Sequence, residues 1–260
     1  MDNTDNSPTS RAEPKDRGLG GMKIALIGYG KMGKTIEGIA LQRGHTVNLK
    51  IDIDSMEIFT KENLQRCDVA IEFTGPHSAK ENILKCFDAG TPVISGSTGW
   101  LADWNEVVND CKEKNGSFLY ASNFSVGVNI FFELNKKLAQ LMKGQEAYTV
   151  SLEEIHHTQK KDAPSGTAIT LAEQIMQQIP GKKNWVNNET DNPAELSIIS
   201  KREDPAPGTH SVKYSSAIDD IEIIHTAHSR QGFALGAVLA AEYIYKKTGI
   251  FSMKDILGLP

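Results

Sequence analysis

Six residues, Gly28-Tyr29-Gly30-Lys31-Met32-Gly33, constrain the fold of this chain more than any others. They follow an apolar run at 23–27 and open a helical pattern that extends to about residue 43 and closes at Gly44. Strand, glycine turn and helix in that order form the dinucleotide-binding fingerprint. Gly28 permits the tight turn, Gly30 lets the backbone approach a pyrophosphate, and Gly33 lets the helix pack on the strand. The next strand, 46–51, ends at Asp52, near the ~20-residue offset at which a carboxylate meets the adenosine ribose. A glycine turn in an unrelated α/β domain is the plainer alternative, and the placing of Asp52 argues against it.

The pattern then repeats. Strands at 68–74, 92–95 and 118–121 alternate with helices at 76–89 and from about 100 to 114. Alternating units with short loops imply a parallel sheet covered by helices on both faces. Ligands of such sheets sit at the carboxyl ends of the strands. Thr74, the turn Gly96-Ser97-Thr98 and the stretch 121–124 all fall there.

A denser cluster of chemistry lies at Glu153-Glu154-Ile155-His156-His157-Thr158-Gln159-Lys160-Lys161-Asp162-Ala163-Pro164-Ser165-Gly166-Thr167-Ala168. Residues 147–155 are rich in β-branched and aromatic types and read as a strand. A polar turn leads into a helix at 165–178 that Asp162 or Ser165 can cap, with Pro164 near its start. Two imidazoles and an ammonium thus meet a helix N-terminus whose N–H groups attract anions. Such a site suits a carboxylate-bearing substrate that must receive a proton. The bland alternative is a surface histidine pair beside an ordinary lysine loop. Adjacent histidines on a strand point to opposite faces, so His156 and His157 do not easily share one ion, and no metal is expected. His45, His77, His210, His225 and His228 have no motif around them and read as surface or strand residues.

A helix at 126–142 leads away from the first domain. Strands at 195–202, 210–216 and 221–228, with the one at 147–155, imply a mostly antiparallel sheet with helices on one side. An apolar helix at 232–247 returns to the cofactor domain. The expected organisation is a Rossmann-type domain at 22–125 and 229–260 and a second, α+β domain at 126–228 that carries the His156–Lys160 run. Residues 1–21, rich in Asp, Asn, Ser, Thr, Pro and Gly, are expected to be disordered, and Met22 reads as a natural start. They are either a native extension or a cloning remnant.

The formal net charge of −5 argues against a nucleic-acid surface. No apolar run approaches the ~20 residues of a membrane helix. Cys67, Cys86 and Cys111 form no close pair, which suits buried thiols in a reducing cytoplasm.

The run from Glu154 to Ala168 resembles the signature of the dihydrodipicolinate reductases, enzymes of lysine and diaminopimelate biosynthesis. Gly96-Ser97-Thr98-Gly99 is similar to their Gly-Thr-Thr-Gly loop, with Ser97 keeping the hydroxyl and losing a methyl. Ala121-Ser122-Asn123-Phe124-Ser125-Val126-Gly127-Val128-Asn129 is similar to their Ala-x-Asn-Phe-Ser-Val-Gly-Val-Asn crossover. The resemblance covers residues 22–260 and implies reduction of 4-hydroxy-tetrahydrodipicolinate to tetrahydrodipicolinate by NADH or NADPH. It places Gly96, Ser97, Thr98, Ala121, Ser122, Asn123 and Phe124 at the nicotinamide half of the cofactor. Arg230 and Phe233 match family residues near the cofactor. His156 fits the general acid, Lys160 the carboxylate anchor or an aid to proton donation, and His157, Gly166 and Thr167 the substrate-binding positions.

Family members often carry an acid followed by Arg at the end of the second strand. Here Ile53 follows Asp52, which leans the choice toward NADH while leaving both cofactors usable, with Lys50 or Lys31 as substitute cations. The resemblance also implies a homotetramer assembled through the second sheet, with Val212, Tyr214, Ile221 and Ile223 expected on its uncovered face. Two other classes share part of the pattern. A related amino-acid or sugar dehydrogenase would explain the glycine turn but not the His-His-x-x-Lys run. A non-catalytic NAD(H) sensor would need neither an acid nor an anion clamp.

Overall fold

The computed structural model describes residues 21–259. The disorder expected of residues 1–21 therefore lies outside the described residues, apart from Gly21. The elements in chain order are β1 (Lys23–Ile27), α1 (Lys31–Gln42), β2 (Thr46–Ile51), α2 (Lys61–Leu64), β3 (Val69–Glu72), α3 (Ala79–Ala89), β4 (Val93–Ser95), α4 (Trp104–Glu113) and β5 (Ser117–Tyr120). Then come α5 (Val126–Met142), β6 (Thr149–His156), α6 (Gly166–Gln178), β7 (Asn184–Val186), β8 (Glu195–Arg202), β9 (Gly208–Ser215), β10 (Asp220–Ala227), α7 (Gln231–Ile244), β11 (Gly249–Phe251) and α8 (Met253–Leu257).

Six strands form a parallel sheet in the order β11-β5-β4-β3-β1-β2. Its strands alternate between two apolar layers, as a sheet buried on both faces must. Ala25, Ile27, Ala70, Val93 and Phe118 pack under α3 and α4 with Ile83, Phe87, Trp100 and Val107. Ile24, Leu26, Ile71, Ile94 and Leu119 face the other way, against Ile36 of α1 and Ala237, Val238, Ala241 and Ile244 of α7. The chain thus returns after the second sheet to complete the first, with β11 pairing β5 at the edge. Small residues let α7 approach closely. A Cβ at Gly236 would lie 1.7 Å from the Phe124 carbonyl oxygen, so this helix seats directly on the loop after β5.

A polar clasp holds the same helix at its other end. Arg43 donates from Nε and an Nη atom to Glu242, both at 2.7 Å. His45 accepts from the Met22 N–H through Nδ1 at 3.2 Å, which leaves Nε2–H to donate to Glu242 at 2.8 Å. Although burial works to raise the Glu242 carboxyl, Arg43 and His45 hold it below the usual range. His45 is therefore a buried structural residue, 4% exposed, with a defined role in docking α7.

The second sheet has the order β10-β9-β6-β8-β7. Its antiparallel ladders are the longer ones: β9 pairs β10 over eight residues and β6 over seven, against six and three for the parallel β6–β8 and β7–β8 pairs. Helices α5 and α6 cover one face, burying Val150, Leu152, Leu196, Ile198, Val212 and Tyr214 against Phe131, Ala139, Leu171 and Ile175.

This corrects the parity expected for the open face. Val212 and Tyr214 are 0% and 1% exposed on the helix side. Ile223 packs against the same core, and Ile221 is the register partner of Tyr214. The uncovered face instead carries Ile155, Ile199, Lys201, Lys213, Glu222 and Ile224, because side chains alternate strictly along each strand. Among the described residues no helix is long and apolar enough to cross a membrane. Cys67, Cys86 and Cys111 are buried and unpaired, and burial pushes the Cys67 and Cys111 thiols up to about 11.

Candidate active site

The glycine turn has the form of a phosphate cradle. Gly28 adopts φ +93°, and a Cβ there would lie 2.2 Å from the Phe73 carbonyl oxygen. A Cβ at Gly33 would lie 2.4 Å from the Gly28 oxygen, so only glycine lets α1 sit this close to the turn. A Cβ at Gly30 would meet nothing within 4 Å, which marks an open approach. Gly30 is also the N-cap of α1 and supplies no side-chain cap, which leaves first-turn N–H groups to a bound anion. Lys31 and Met32 begin that helix. Gly28 N–H donates to the Ile51 carbonyl at 2.9 Å and so sets the turn beside the end of β2. There Asp52 is exposed and accepts from Ile53 N–H at 2.9 Å as the cap of a 3-10 turn, Ile53–Ile58. Amides, an open approach and a carboxylate at the β2 end fit a nicotinamide dinucleotide.

Glu72, at the end of β3 and fully buried, ties together the loops after β3 and β4. It accepts from Thr74 N at 2.9 Å, Ser95 Oγ at 2.6 Å and Ser97 Oγ at 2.8 Å, and from the Thr74 hydroxyl. The Ser97 hydroxyl is thereby turned inward, while Thr98 is exposed. Gly96 passes under the Phe73 ring, 2.3 Å from where a Cβ would stand. Phe124 is 2% exposed and packs on Phe73 with ring centroids 5.6 Å apart, so its side chain supports the loop from behind. Ala121 packs against the same core. Ser122 and Asn123 reach forward.

They reach into a cleft of about 880 Å³. Thr98, Ser122 and Asn123 line one side of it, and His156, His157, Lys160, Gly166 and Thr167 the other. Asn123 Nδ2 donates to Thr167 Oγ1 at 3.4 Å, joining the two sides. A neighbouring cavity of about 550 Å³ is lined by Met32, His157, Arg230 and Phe233 and continues toward the glycine turn. Gly28, Gly30, Gly33, Asp52, Gly96, Ser97, Ala121 and Phe124 do not line the cleft itself.

Strand β6 delivers His156 at its end, and Ser165 caps α6 by accepting from Ala168 N at 3.2 Å. Between them the loop carries Lys160, whose Nζ donates to Asp162 at 2.7 and 2.9 Å. Beneath the loop lies Glu154, 0% exposed. Its carboxylate accepts from Ser165 N at 3.0 and 3.1 Å and from Arg202 Nη2 at 3.2 Å, and stands 3.5 Å from His156 Nδ1. Arg202 also donates to the carbonyls of Lys160 at 3.3 Å and Asp162 at 2.6 Å, pinning this loop to β8. His210 of β9 packs edge-on to His156 at 5.0 Å, with Nε2 3.0 Å from Ser165 Oγ.

These neighbours set the charges. Burial lowers the pKa of His156, and the Glu154 carboxylate opposes that shift, while Lys160 and Arg202 add to it. For Glu154, burial works upward, but hydrogen bonds from Ser165 and the His156 charge outweigh it and hold the carboxyl below its usual range. Lys160 holds Asp162 below the usual carboxylate range.

Residues 22–124 match the family described as "Dihydrodipicolinate reductase, N-terminus", and residues 127–257 match its C-terminus. The chain belongs to the dihydrodipicolinate reductase family. A 4-hydroxy-tetrahydrodipicolinate reductase from Christiangramia forsetii is 56% identical over 237 residues, 91% of this chain and 98% of that one. One from Methanosarcina acetivorans is 36% identical over 241 residues, 91% of this chain and 89% of that one. A dipicolinate-bound dihydrodipicolinate reductase from Paenisporosarcina sp. TG-14 shares the fold at TM-score 0.69 and 21% identity, covering 89% of this chain and 97% of that one. Membership makes the chain an oxidoreductase.

Within this reductase fold, several residues of the site carry no signature in the sequence. His210 is a strand residue but not a surface one: it is 5% exposed and lines the cleft. His225 lines the cleft too, whereas His77 and His228 are exposed. Arg202 and His210 enter through register, since His156 pairs Arg202 and Glu154 pairs His210. Glu154, His156 and His210 also place one ligand-type atom each within 4.8 Å of one another. Arg202 and the Ser165 N–H already occupy Glu154, so a divalent ion there would face a fixed guanidinium charge.

Proposed function

We propose that this chain reduces 4-hydroxy-tetrahydrodipicolinate to tetrahydrodipicolinate, with His156 as the proton donor and Lys160 as the anchor of a substrate carboxylate. The observation that carries this reading is the cleft in which an acid, an ammonium and an open helix N-terminus face the loops after β4 and β5. The overall change loses the 4-hydroxyl as water and gains a hydride, which reduced nicotinamide supplies when bound, and a proton. The protein orients the ring, neutralises two carboxylates and supplies the proton. His156 turns Nδ1 toward Glu154, which leaves Nε2, beside Gly208, to hand on the proton. A substrate carboxylate takes the place of Asp162 on Lys160. The first-turn N–H groups of Gly166 and Thr167 receive the other carboxylate, a helix-terminus effect of ~0.3–1 kcal/mol that the charged side chains must exceed.

Binding of dipicolinate, a planar dicarboxylate, tests this arrangement. At about 100 times its Kd it should stabilise the protein by ~2.7 kcal/mol, a rise of several degrees in Tm for a chain of this size. Lys160→Met should remove most of that rise. An unchanged Tm in the wild-type protein would contradict the site.

Both NADH and NADPH serve as cofactor in this reading, with NADH preferred because Asp52 accepts from ribose hydroxyls and repels a 2′-phosphate. The setting is the cytoplasm. The protein assembles as a homotetramer through the uncovered face of the second sheet, where Ile155, Ile199 and the 58%-exposed Ile224 lie among charged and hydroxyl side chains. Light scattering at micromolar concentration should give the tetramer mass, and a monomer would refute the assembly.

A further inference from the structure

A charged cluster beside the glycine turn has no part in the reading above. Lys50, on β2 two residues before Asp52, is paired with Glu37 of α1 at 2.6 Å. The same Nζ lies 4.9 Å from the centroid of the Tyr29 ring, and the Tyr29 hydroxyl hydrogen-bonds to Glu37. Tyr29 stands inside the glycine turn, between Gly28 and Gly30. The three side chains therefore bridge the turn, the second turn of α1 and the end of β2. In the dinucleotide fold the glycine turn meets the pyrophosphate and the end of the second strand meets the adenosine ribose.

We propose that Glu37 is a specificity-determining residue behind the NADH preference proposed above, by engaging Lys50 so that this ammonium is not free to meet the 2′-phosphate of NADPH. The inference rests on the glycine turn being the dinucleotide site. Lys50 is the cation that β2 parity places on the Asp52 side, and its charge is already matched. Glu37 matches the Lys50 ammonium and Asp52 adds a carboxylate at the β2 end, so a 2′-phosphate brings roughly two more negative charges, as any phosphate monoester does near neutral pH, to a region whose nearest strand cation is already engaged. Ribose hydroxyls carry no charge and need only an acceptor, which Asp52 supplies. Lys34, 5.9 Å from the Tyr29 ring centroid, is a further cation beside the cluster. Tyr29 matters because its hydroxyl fixes the Glu37 carboxylate and its ring receives the Lys50 ammonium. The arrangement is thus a built one, and more than a chance surface pair. Lys50 and Tyr29 together hold the Glu37 carboxyl below its usual range, so the pair is charged throughout the physiological pH span.

The test is equilibrium binding of NADH and NADPH to the wild-type protein and to Glu37→Gln, Lys50→Met and the double variant, by fluorescence or calorimetry without substrate. Glu37→Gln keeps a hydrogen-bonding partner for Tyr29 and releases the Lys50 charge. It should tighten NADPH binding about tenfold, the scale of one partly exposed charge pair with phosphate, and leave NADH nearly unchanged. In the double variant that gain should vanish, because it depends on Lys50. An NADPH-to-NADH affinity ratio that stays at the wild-type value in Glu37→Gln would overturn the proposal. So would a gain that persists in the double variant, which would mean that removing negative charge anywhere nearby suffices. Failure of the wild-type protein to bind either cofactor would instead overturn the dinucleotide site itself, and the proposal with it.

Discussion

His156→Gln and Lys160→Met should each lower turnover by ~10²–10⁴-fold, the range for loss of a positioned acid, while NADH affinity barely changes. Both residues line the cleft, which the glycine turn and Asp52 do not. Their losses should differ in kind. On the proposed reaction His156→Gln removes the proton donor needed in the transition state, so kcat and kcat/KM should fall together. Lys160→Met removes the charge proposed to bind the substrate before and during reaction, so KM should rise as well. The double variant should be little worse than the poorer single one, since the two act on the same transition state. Rates within a few-fold of wild type in both single variants would remove these residues from the reaction.

Stability should fall steeply as pH drops below neutrality, and His210 should account for much of the fall. Burial, helped by the nearby His156, lowers its pKa from the ordinary 6.5 to about 4. Between those values the unfolded chain binds a proton that the folded protein refuses. The stability contributed by neutral His210 is therefore complete above pH 6.5 and is lost as pH falls toward 4. A fall from 6.5 to about 4, at about 1.36 kcal/mol per unit, makes ~3 kcal/mol. His156 acts in the same direction. Glu154 adds a separate loss at lower pH, because its depressed carboxyl contributes stability above its unfolded pKa and loses it as pH falls through the folded one. Urea unfolding at a series of pH values between 6.5 and 4 would show the slope. His210→Gln, which still reaches Ser165, should flatten it by most of one proton. An identical slope in that variant would show that His210 takes up its proton without cost to the fold.

What could be read from the sequence was whatever lies close together along the chain. Strand β1, the glycine turn and α1 are contiguous, and so is the run from β6 through Lys160 to the Ser165 cap. Helix α5 and strand β8 have the ends that periodicity predicts. Strands β7 and β11 were not legible, because three residues at a sheet edge hold too little alternation to recognise. The 3-10 turn after Asp52 and the short helices α2 and α8 leave no sequence signal for the same reason.

The covered placement of Val212 and Tyr214 has a different origin. Alternation shows which residues share a face, but only helix packing decides which face is covered. The site was incomplete in the same way. Glu154 stood in the run with no role, since its partners Arg202 and His210 come from β8 and β9, over 40 residues away. Register between distant strands brings them in, and no local pattern encodes it. Ser97 and Phe124 matched family loops, yet their side chains turn inward onto Glu72 and Phe73.

The most direct measurement is the oxidation of NADH by the purified wild-type protein, followed by absorbance, with 4-hydroxy-tetrahydrodipicolinate generated enzymatically in the cuvette. Substrate-dependent turnover of ~1–10³ s⁻¹, the ordinary enzymatic range, is the expected result. Consumption of neither NADH nor NADPH above the rate without substrate would contradict the assignment of this cleft to that reaction.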